Sequence, residues 1–193
     1  MYADNTLTPK EAIRLCALGT LAGGAMRYDE LANAIRHFIS RITGPSLELM
    51  GESIELLRYE GLVTATGEDT ENESGDGNTL ITITDDGWSA LHELLAANLR
   101  PGGSDINDLI IALKFRFLHL LPLADQLAQT DILAEATETE LGRLEDLKRH
   151  HADDPGFLVE WLDESIRRLE ERLDWLSGLK TRLSPSGSAA EAG

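Results

Sequence analysis

Cysteine is almost absent from this 193-residue chain, and its single copy, Cys16, has no partner for a disulfide within the chain. A disulfide-stapled scaffold and a zinc site built on paired cysteines are therefore excluded. Cys16 lies in an apolar helical pattern with no base spaced to activate it. We interpret it as a small core residue and not as a nucleophile.

Long hydrophobic runs are also missing. The most apolar segment, LIIALKFRFLHLLPLA at 109–124, is interrupted by Lys114, Arg116 and His119 and is too short to cross a bilayer. The N-terminus has no basic region followed by an apolar run, so no secretory signal is indicated. We expect a cytoplasmic protein with no membrane contact.

Positive charge is scarce. Four Lys and thirteen Arg stand against fifteen Asp and nineteen Glu, which gives a net charge of -17, and both halves of the chain share the excess. Such a field repels nucleic acid and anionic membranes at long range. Any contact with DNA therefore has to be local.

Motifs for catalysis and metal binding are lacking as well. No set of acid, base and nucleophile emerges, so we expect neither an enzyme nor a cofactor. His150-His151 followed by Asp153-Asp154 comes nearest to a metal motif. Adjacent side chains at a helix end do not converge on one ion, so we expect a helix C-terminus followed by a polar turn and no metal.

The first hundred residues alternate between helical and strand patterns. Apolar spacing predicts three helices, the first at 9–22 and the second from about Tyr28 to Ile42. The third follows the turn at 43–45, with Pro45 in its first turn, and stops at Gly61. Alternating β-branched runs predict a hairpin of strands 62–66 and 79–84, after which Thr84 caps a helix reaching Leu99. The fold class is mainly α, with this small sheet.

The hairpin loop is acidic. GEDTENESGDGN at 67–78 contains five carboxylates and no Lys or Arg, namely Glu68, Asp69, Glu71, Glu73 and Asp76. Such hairpins often lie against DNA phosphates, which these charges would repel. Two readings stay open, a functional acidic surface and a solvated loop that meets no ligand.

The second half is predicted to be helical throughout. After the linker 100–104, helices are expected at 105–121, 122–150 and 155–183, before a small-residue tail that we expect to be disordered. We therefore divide the chain into a winged domain at 1–100, a helical dimerisation domain at 101–183 and a tail at 184–193.

The last helix carries a leucine seam with steps of 4, 3, 4 and 3, a pattern that requires a partner helix. We assign the contact between two subunits to this leucine seam: Leu162, Ile166, Leu169, Leu173 and Leu176. Trp161 and Trp175 flank the seam, and we expect them to pack in the core rather than line a ligand cavity.

Several motifs resemble the PadR family of transcriptional regulators. RYDELANAI resembles its helix-two motif, SIELLRYEGLV the end of its recognition helix, and TLITITDDGWSALHELL its second strand and following helix. ALKFRFLHLLP and RLEERLDWL resemble the dimerisation region of that family. The resemblance covers nearly the whole chain.

What this resemblance implies is a winged helix-turn-helix homodimer, usually a repressor, that places helix three in the major grooves of a palindromic operator. A small-molecule effector is a further expected partner. The positions carried over as facing the groove are Ser46, Glu48, Leu49, Glu52 and Ser53. Those able to reach phosphate are Tyr28, Arg41 and Thr43.

The chain departs from the family in its charge. The outward face of helix three offers glutamates that accept only from cytosine, and the hairpin loop has no cation. The alternative is a winged-helix module that has lost DNA binding and uses its acidic face on a basic protein partner. A DNA binder is expected to gather basic side chains on the side of helix three: Arg27, Arg36, Arg41 and Lys10.

Overall fold

The computed structural model describes residues 6–43, 51–66, 80–99 and 105–184. The chain divides into two compact units. The first comprises Met1–Arg100 with Ser104–Leu121, and the second comprises Pro101–Gly103 with Pro122–Gly193. The expected linker, the acidic loop and the tail beyond Ser184 lie outside the described residues.

The first unit has the element order of a winged helix, extended by one helix. Its elements are α1 Pro9–Leu21, β1 Met26–Arg27, α2 Tyr28–Thr43, α3 Gly51–Tyr59, β2 Val63–Thr66, β3 Leu80–Ile83, α4 Asp85–Ala96 and α5 Asp105–Phe117. A 3-10 turn, Leu118–Leu120, follows α5. The predicted fold class, mainly α with a small antiparallel sheet, is confirmed.

Helix α1 forms the centre of this unit. It begins with a capping box, in which the Thr8 hydroxyl accepts from the Glu11 N–H while the Glu11 carboxylate accepts from the Thr8 N–H at 2.6 Å. Because it contacts α2, α3, α4 and α5, residues are buried on all its sides, and not only on one stripe. Cys16 is fully buried among them, as predicted.

The sheet has three antiparallel strands in the order β1-β3-β2. Val63 pairs with Ile83 at one end of the hairpin, and Thr66 pairs with Leu80 at the other. The two predicted strands are therefore confirmed to within one residue at each end. Strand β1 was not predicted, because two residues are too few to display a period of two.

The hairpin and α4 meet at a close backbone contact. Thr84 caps α4 as predicted, its hydroxyl accepting from the Gly87 N–H at 3.0 Å and donating to the Gly61 carbonyl at 2.8 Å. A Cβ atom on Gly87 would lie 2.1 Å from the Leu62 carbonyl oxygen. Only glycine therefore fits this position without a shift of the backbone.

Helix α5 packs on α1 and α2 within the first unit. Its last residue, Phe117, lies against Gly19 so closely that a Cβ there would be 2.5 Å from the ring. The compact unit consequently extends to Leu121, beyond the division at residue 100. A functional boundary at residue 100 stays a prediction.

The second unit is a hairpin of two long helices, α6 Leu123–His150 and α7 Leu158–Leu183. Helix α6 ends at His150, in agreement with the predicted helix terminus and polar turn. Helix α7 begins three residues later than expected, after Gly156 at a φ of +115°. Among the described residues of this unit, few apolar side chains are fully buried: Leu133, Leu162 and Leu176.

Candidate nucleic-acid interface

One end of the sheet, where the acidic stretch joins the two strands of the hairpin, carries a cation. Leu80 pairs with Thr66 on one side and with Arg27 on the other, so these three residues form the last rung of the sheet. The acidic stretch leaves the sheet from Thr66 and returns to it just before Leu80. The exposed Arg27 side chain thus belongs to the base of the hairpin.

The described part of α3 has a buried side and a mixed exposed side. Ile54 and Leu57 are buried, whereas Leu56 is 39% exposed and Tyr59 is 90% exposed. Arg58, also exposed, lies 3.8 Å from the Glu55 carboxylate. The outer surface of this segment therefore offers apolar and aromatic groups with almost balanced charge.

Tyr28, at the start of α2, lies within the electrostatic influence of α3. It is half-buried, and its pKa is raised above the ordinary value of 10.0, first by burial and then by the nearby Glu55 carboxylate. The phenol therefore stays protonated at neutral pH and keeps an O–H donor next to α3. Such a donor suits a phosphate oxygen.

Four exposed basic side chains of the first unit have no carboxylate within ion-pair distance among the residues that the structure describes: Lys10, Arg27, Arg36 and Arg41. Arg36 and Arg41 are five residues apart on α2, which is about 140° of rotation, so they leave the helix at two different edges. The expected basic patch is thus only partly assembled.

The predicted DNA-contact residues fall into three groups: those on α2, those on α3 and those outside the described residues. Tyr28, Arg41 and Thr43 lie on α2, where the Thr43 hydroxyl donates to the Ile39 carbonyl at 3.1 Å. Glu52 and Ser53 belong to the backbone of α3. The remaining three candidates fall outside the described residues: Ser46, Glu48 and Leu49. Arg27 was not among the contact residues first assigned, because only the pairing of β1 with β3 brings it next to Leu80.

The leucine seam finds a partner helix inside the chain. Leu162 and Leu176 are 0% and 1% exposed, and the three residues between them are half-buried along α6. Its role as a contact between two subunits stays a prediction. The expected core packing of the flanking tryptophans is wrong for the single chain, because Trp161 is 61% exposed and Trp175 is 46% exposed.

The interior of the first unit contains titratable groups, and their contacts stabilise the fold. Burial raises the pKa of Cys16 to about 11, so this thiol is not a nucleophile at neutral pH. The Arg116 guanidinium lies over Phe38 at 4.6 Å and over Phe117 at 4.8 Å, which joins α5 to α2. The buried Lys114 ammonium donates to the Leu95 carbonyl near the end of α4.

Neither a metal centre nor a membrane span emerges from the described ranges. Nowhere in them do three or more His, Cys, Asp or Glu side chains converge as metal ligands. Among the same residues, every helix is too short or too polar to cross a bilayer.

Comparisons with solved structures detect PadR proteins. The PadR structure from Bacillus subtilis in complex with p-coumaric acid has 14% identity and a TM-score of 0.40, covering 92% of this chain and 98% of that one. The same protein in complex with operator DNA has 15% identity and a TM-score of 0.37, with 89% and 98% covered. A PadR-like regulator from Bacillus cereus has 14% identity and a TM-score of 0.37, with 89% and 97% covered. Similarity at this level does not define the function of this chain.

Curated protein sequences contain no match to the chain. A family model does match, over residues 2–180, and its family is described as "Putative AphA-like transcriptional regulator". The match extends into both compact units and covers the helices and strands described above, except for the last three residues of α7. The chain therefore belongs to this family of AphA-like transcriptional regulators.

Proposed function

We propose that the chain is a DNA-binding regulator that acts as a homodimer on a palindromic operator, as a repressor. The observation that carries this proposal is the set of exposed basic side chains without carboxylate partners on the winged unit, above all Arg27, Arg36 and Arg41. The chain has twice as many carboxylates as cations. Surface arginines that are not used in ion pairs remain available to phosphate oxygens.

The proposed contacts are divided between backbone and bases. Tyr28, Arg41 and Thr43 contact phosphates, and Arg27 adds a cation at the base of the hairpin. The bases are contacted by the five residues carried over as facing the groove, which lie in α3 and in the segment before it: Ser46, Glu48, Leu49, Glu52 and Ser53. Carboxylates accept from the amino group of cytosine, so we expect a preference for G·C pairs at these positions.

The alternative function is an interaction module for a basic protein. The exposed Leu56 and Tyr59 on α3 favour it, because an aromatic side chain that is 90% exposed is a common anchor of protein interfaces. The acidic surface would then attract the basic partner at long range. DNA binding would be absent in this case.

The homodimer is proposed to form through the second unit. A hairpin of two helices with three fully buried leucines has a small core, and its free energy of folding gains from burial against a second hairpin. We propose further that a small molecule regulates DNA binding and that the protein acts in the cytoplasm. No residue is assigned to the effector.

The test is a titration of the purified protein with DNA from upstream of its own gene, using a scrambled duplex as control, at two salt concentrations. A regulator binds the native duplex more tightly, and its affinity falls as salt rises, with a slope that reports the number of phosphates neutralised. Equal and undetectable binding to both duplexes at low salt would refute DNA binding and favour the protein-interaction alternative.

A further inference from the structure

One ion pair joins α1 to the end of α3. The Arg14 guanidinium on α1 donates to the carboxylate of Glu60, the residue that follows α3. The two side chains are 26% and 33% exposed, so the pair is partly shielded from water. Among the described residues of the first unit, no other ion pair joins two different elements, because the pair of Arg58 with Glu55 lies within α3.

The Arg14–Glu60 pair differs from the arginine pairs of the second unit. Those arginines pair with a carboxylate three or four residues away on their own helix: Arg143, Arg149, Arg167 and Arg168. Helical spacing alone produces such local pairs. Arg14 and Glu60 are 46 positions apart in the sequence, so their contact depends on how α1 and α3 are arranged.

Few side chains attach α3 to the core. Among its residues 54–59, whose burial is described, Ile54 and Leu57 are buried and the others are exposed. These two residues are three positions apart and share one face of the helix. Apolar burial is not directional. It therefore holds α3 against the core but sets the direction of the helix axis only weakly.

The backbone fixes the point where α3 ends. Gly61 has a φ of +74° and donates its N–H to the Arg58 carbonyl at 3.1 Å. The Leu62 N–H donates to the Leu57 carbonyl at 2.9 Å, which completes a glycine C-cap. Thr84 holds this turn, since its hydroxyl donates to the Gly61 carbonyl at 2.8 Å and its N–H to the Leu62 carbonyl at 3.1 Å. Both contacts come from one residue, so α3 can still pivot about this point.

We infer that Arg14 is a positioning residue for α3. Its ion pair attaches the end of α3 to a second element, α1, and a charge-assisted hydrogen bond has a defined geometry, so the pivot is restrained. The inference rests on the proposed function, in which residues of α3 contact the bases. Arg14 itself contacts no DNA, because its guanidinium is held by Glu60. A partly exposed ion pair adds little to stability, so its loss is expected to appear in DNA recognition and not in folding.

Neutralising each partner in turn tests the inference. Arg14→Gln removes a positive charge and Glu60→Gln removes a negative one, so the long-range repulsion of DNA changes in opposite directions in the two variants. The loss of positioning is the same in both. We therefore expect both variants to bind the duplex from upstream of the gene about tenfold more weakly than the native protein, as for a coupled pair of residues.

A scrambled duplex distinguishes positioning from phosphate contact. Non-specific affinity depends on the phosphates, which both single variants still contact as the native protein does. We expect their affinity for the scrambled duplex and their salt slope to stay close to the native values. The preference for the native duplex over the scrambled one therefore falls. A stability defect would not lower this preference in folded protein, and circular dichroism before each titration shows that the variants are folded.

The double variant is the matched control for the ion pair. Arg14→Gln combined with Glu60→Gln restores the native net charge and breaks the same single interaction. It is expected to bind no more weakly than either single variant. Losses that add in the double variant would show that the two residues act independently, and would overturn the inference.

Other outcomes separate the inference from the proposed function. Weaker binding by Arg14→Gln alone, with a salt slope lowered by roughly one, would identify Arg14 as a phosphate contact and overturn the inference. Native affinity in both single variants, or an equal loss on both duplexes, would overturn it as well. The proposed function would survive each of these results. A native protein with no preference for its own duplex would overturn the proposed function and the inference with it.

Discussion

At the scale of single residues, Gly87 shows how little space the turn into α4 leaves. An added methyl group would lie 2.1 Å from the Leu62 carbonyl oxygen, so Gly87→Ala must displace the hairpin or the helix. We expect a loss of at least about 2 kcal/mol in the free energy of unfolding, measured by urea denaturation.

Gly142→Ala is the control for this prediction. Gly142 lies within α6 with no neighbouring heavy atom within 4 Å of the added Cβ. The substitution Gly142→Ala should raise the free energy of unfolding by up to about 1 kcal/mol, because alanine is the better helix former. Equal stability of Gly87→Ala and the native protein would show that the backbone contact is not tight.

The buried Lys114 leads us to expect that the free energy of unfolding depends on pH. Burial lowers its pKa from 10.5 to about 8, so between these values the unfolded chain holds a proton that the folded chain has released. Below pH 8 both states are protonated and the folded state bears the cost of the buried charge. Raising the pH from 8 to 10.5 therefore stabilises the folded protein, by as much as about 3 kcal/mol from this residue.

The variant Lys114→Met isolates this contribution. Cys16, with a raised pKa, acts in the opposite direction above pH 9, but it is present in both proteins and cancels in their difference. We expect the free energy of unfolding of the native protein to rise relative to the variant across this range. Parallel pH profiles in urea denaturation would contradict the prediction.

At the scale of secondary-structure elements, the end of α2 is expected to anchor the duplex. Arg41 is exposed, has no carboxylate partner among the described residues and stands just before the segment that leads to α3. Arg41→Ala should weaken binding to all DNA sequences about equally and lower the salt slope by roughly one. Anisotropy titrations at several salt concentrations measure both quantities.

A matched substitution in the second unit controls for general charge effects. Arg143 is exposed on α6 and pairs with Glu140, so Arg143→Ala should leave DNA affinity and slope nearly unchanged. The same loss in both variants would indicate a long-range field effect and not a contact of α2.

The pairing of α6 with α7 depends on the buried end of the seam. Leu176 is 1% exposed, so Leu176→Ala should cost about 2–5 kcal/mol of unfolding free energy. Leu147→Ala, at a site that is 39% exposed on α6, should cost much less. Similar losses in thermal and urea denaturation would place Leu176 outside the core of this hairpin.

At the scale of the whole molecule, the net charge of -17 governs how the protein approaches a polyanion. Replacing the five carboxylates of the acidic loop by amides removes five of the negative charges of the chain. We expect tighter binding to random DNA at low salt, and a gain that fades as salt rises, because only screened repulsion has been removed.

The same five substitutions discriminate the alternative function. A module for a basic protein would lose its partner and still bind no DNA. No change in either binding assay would identify the stretch 67–78 as a solvated loop and reject both functional readings of it.

Local sequence patterns alone determined many of the helix and strand boundaries of this protein. The cap at Thr84 and the end of α6 at His150 were predictable, because hydrogen bonds between residues close in sequence define them. The strands of the hairpin were predictable from their alternating β-branched residues. The element order up to α4 followed from these signals, apart from β1. Periodicity also identified the leucine seam and its need for a partner helix.

Tertiary structure decided which surfaces meet. Only the pairing of β1 with β3 brings Arg27 to the base of the acidic loop, and only packing assigns α5 to the winged unit. Only the packing of α7 against α6 leaves Trp161 and Trp175 exposed. Helical spacing says that residues share a face, but the identity of the neighbour depends on contacts between segments far apart in sequence, which no local pattern contains.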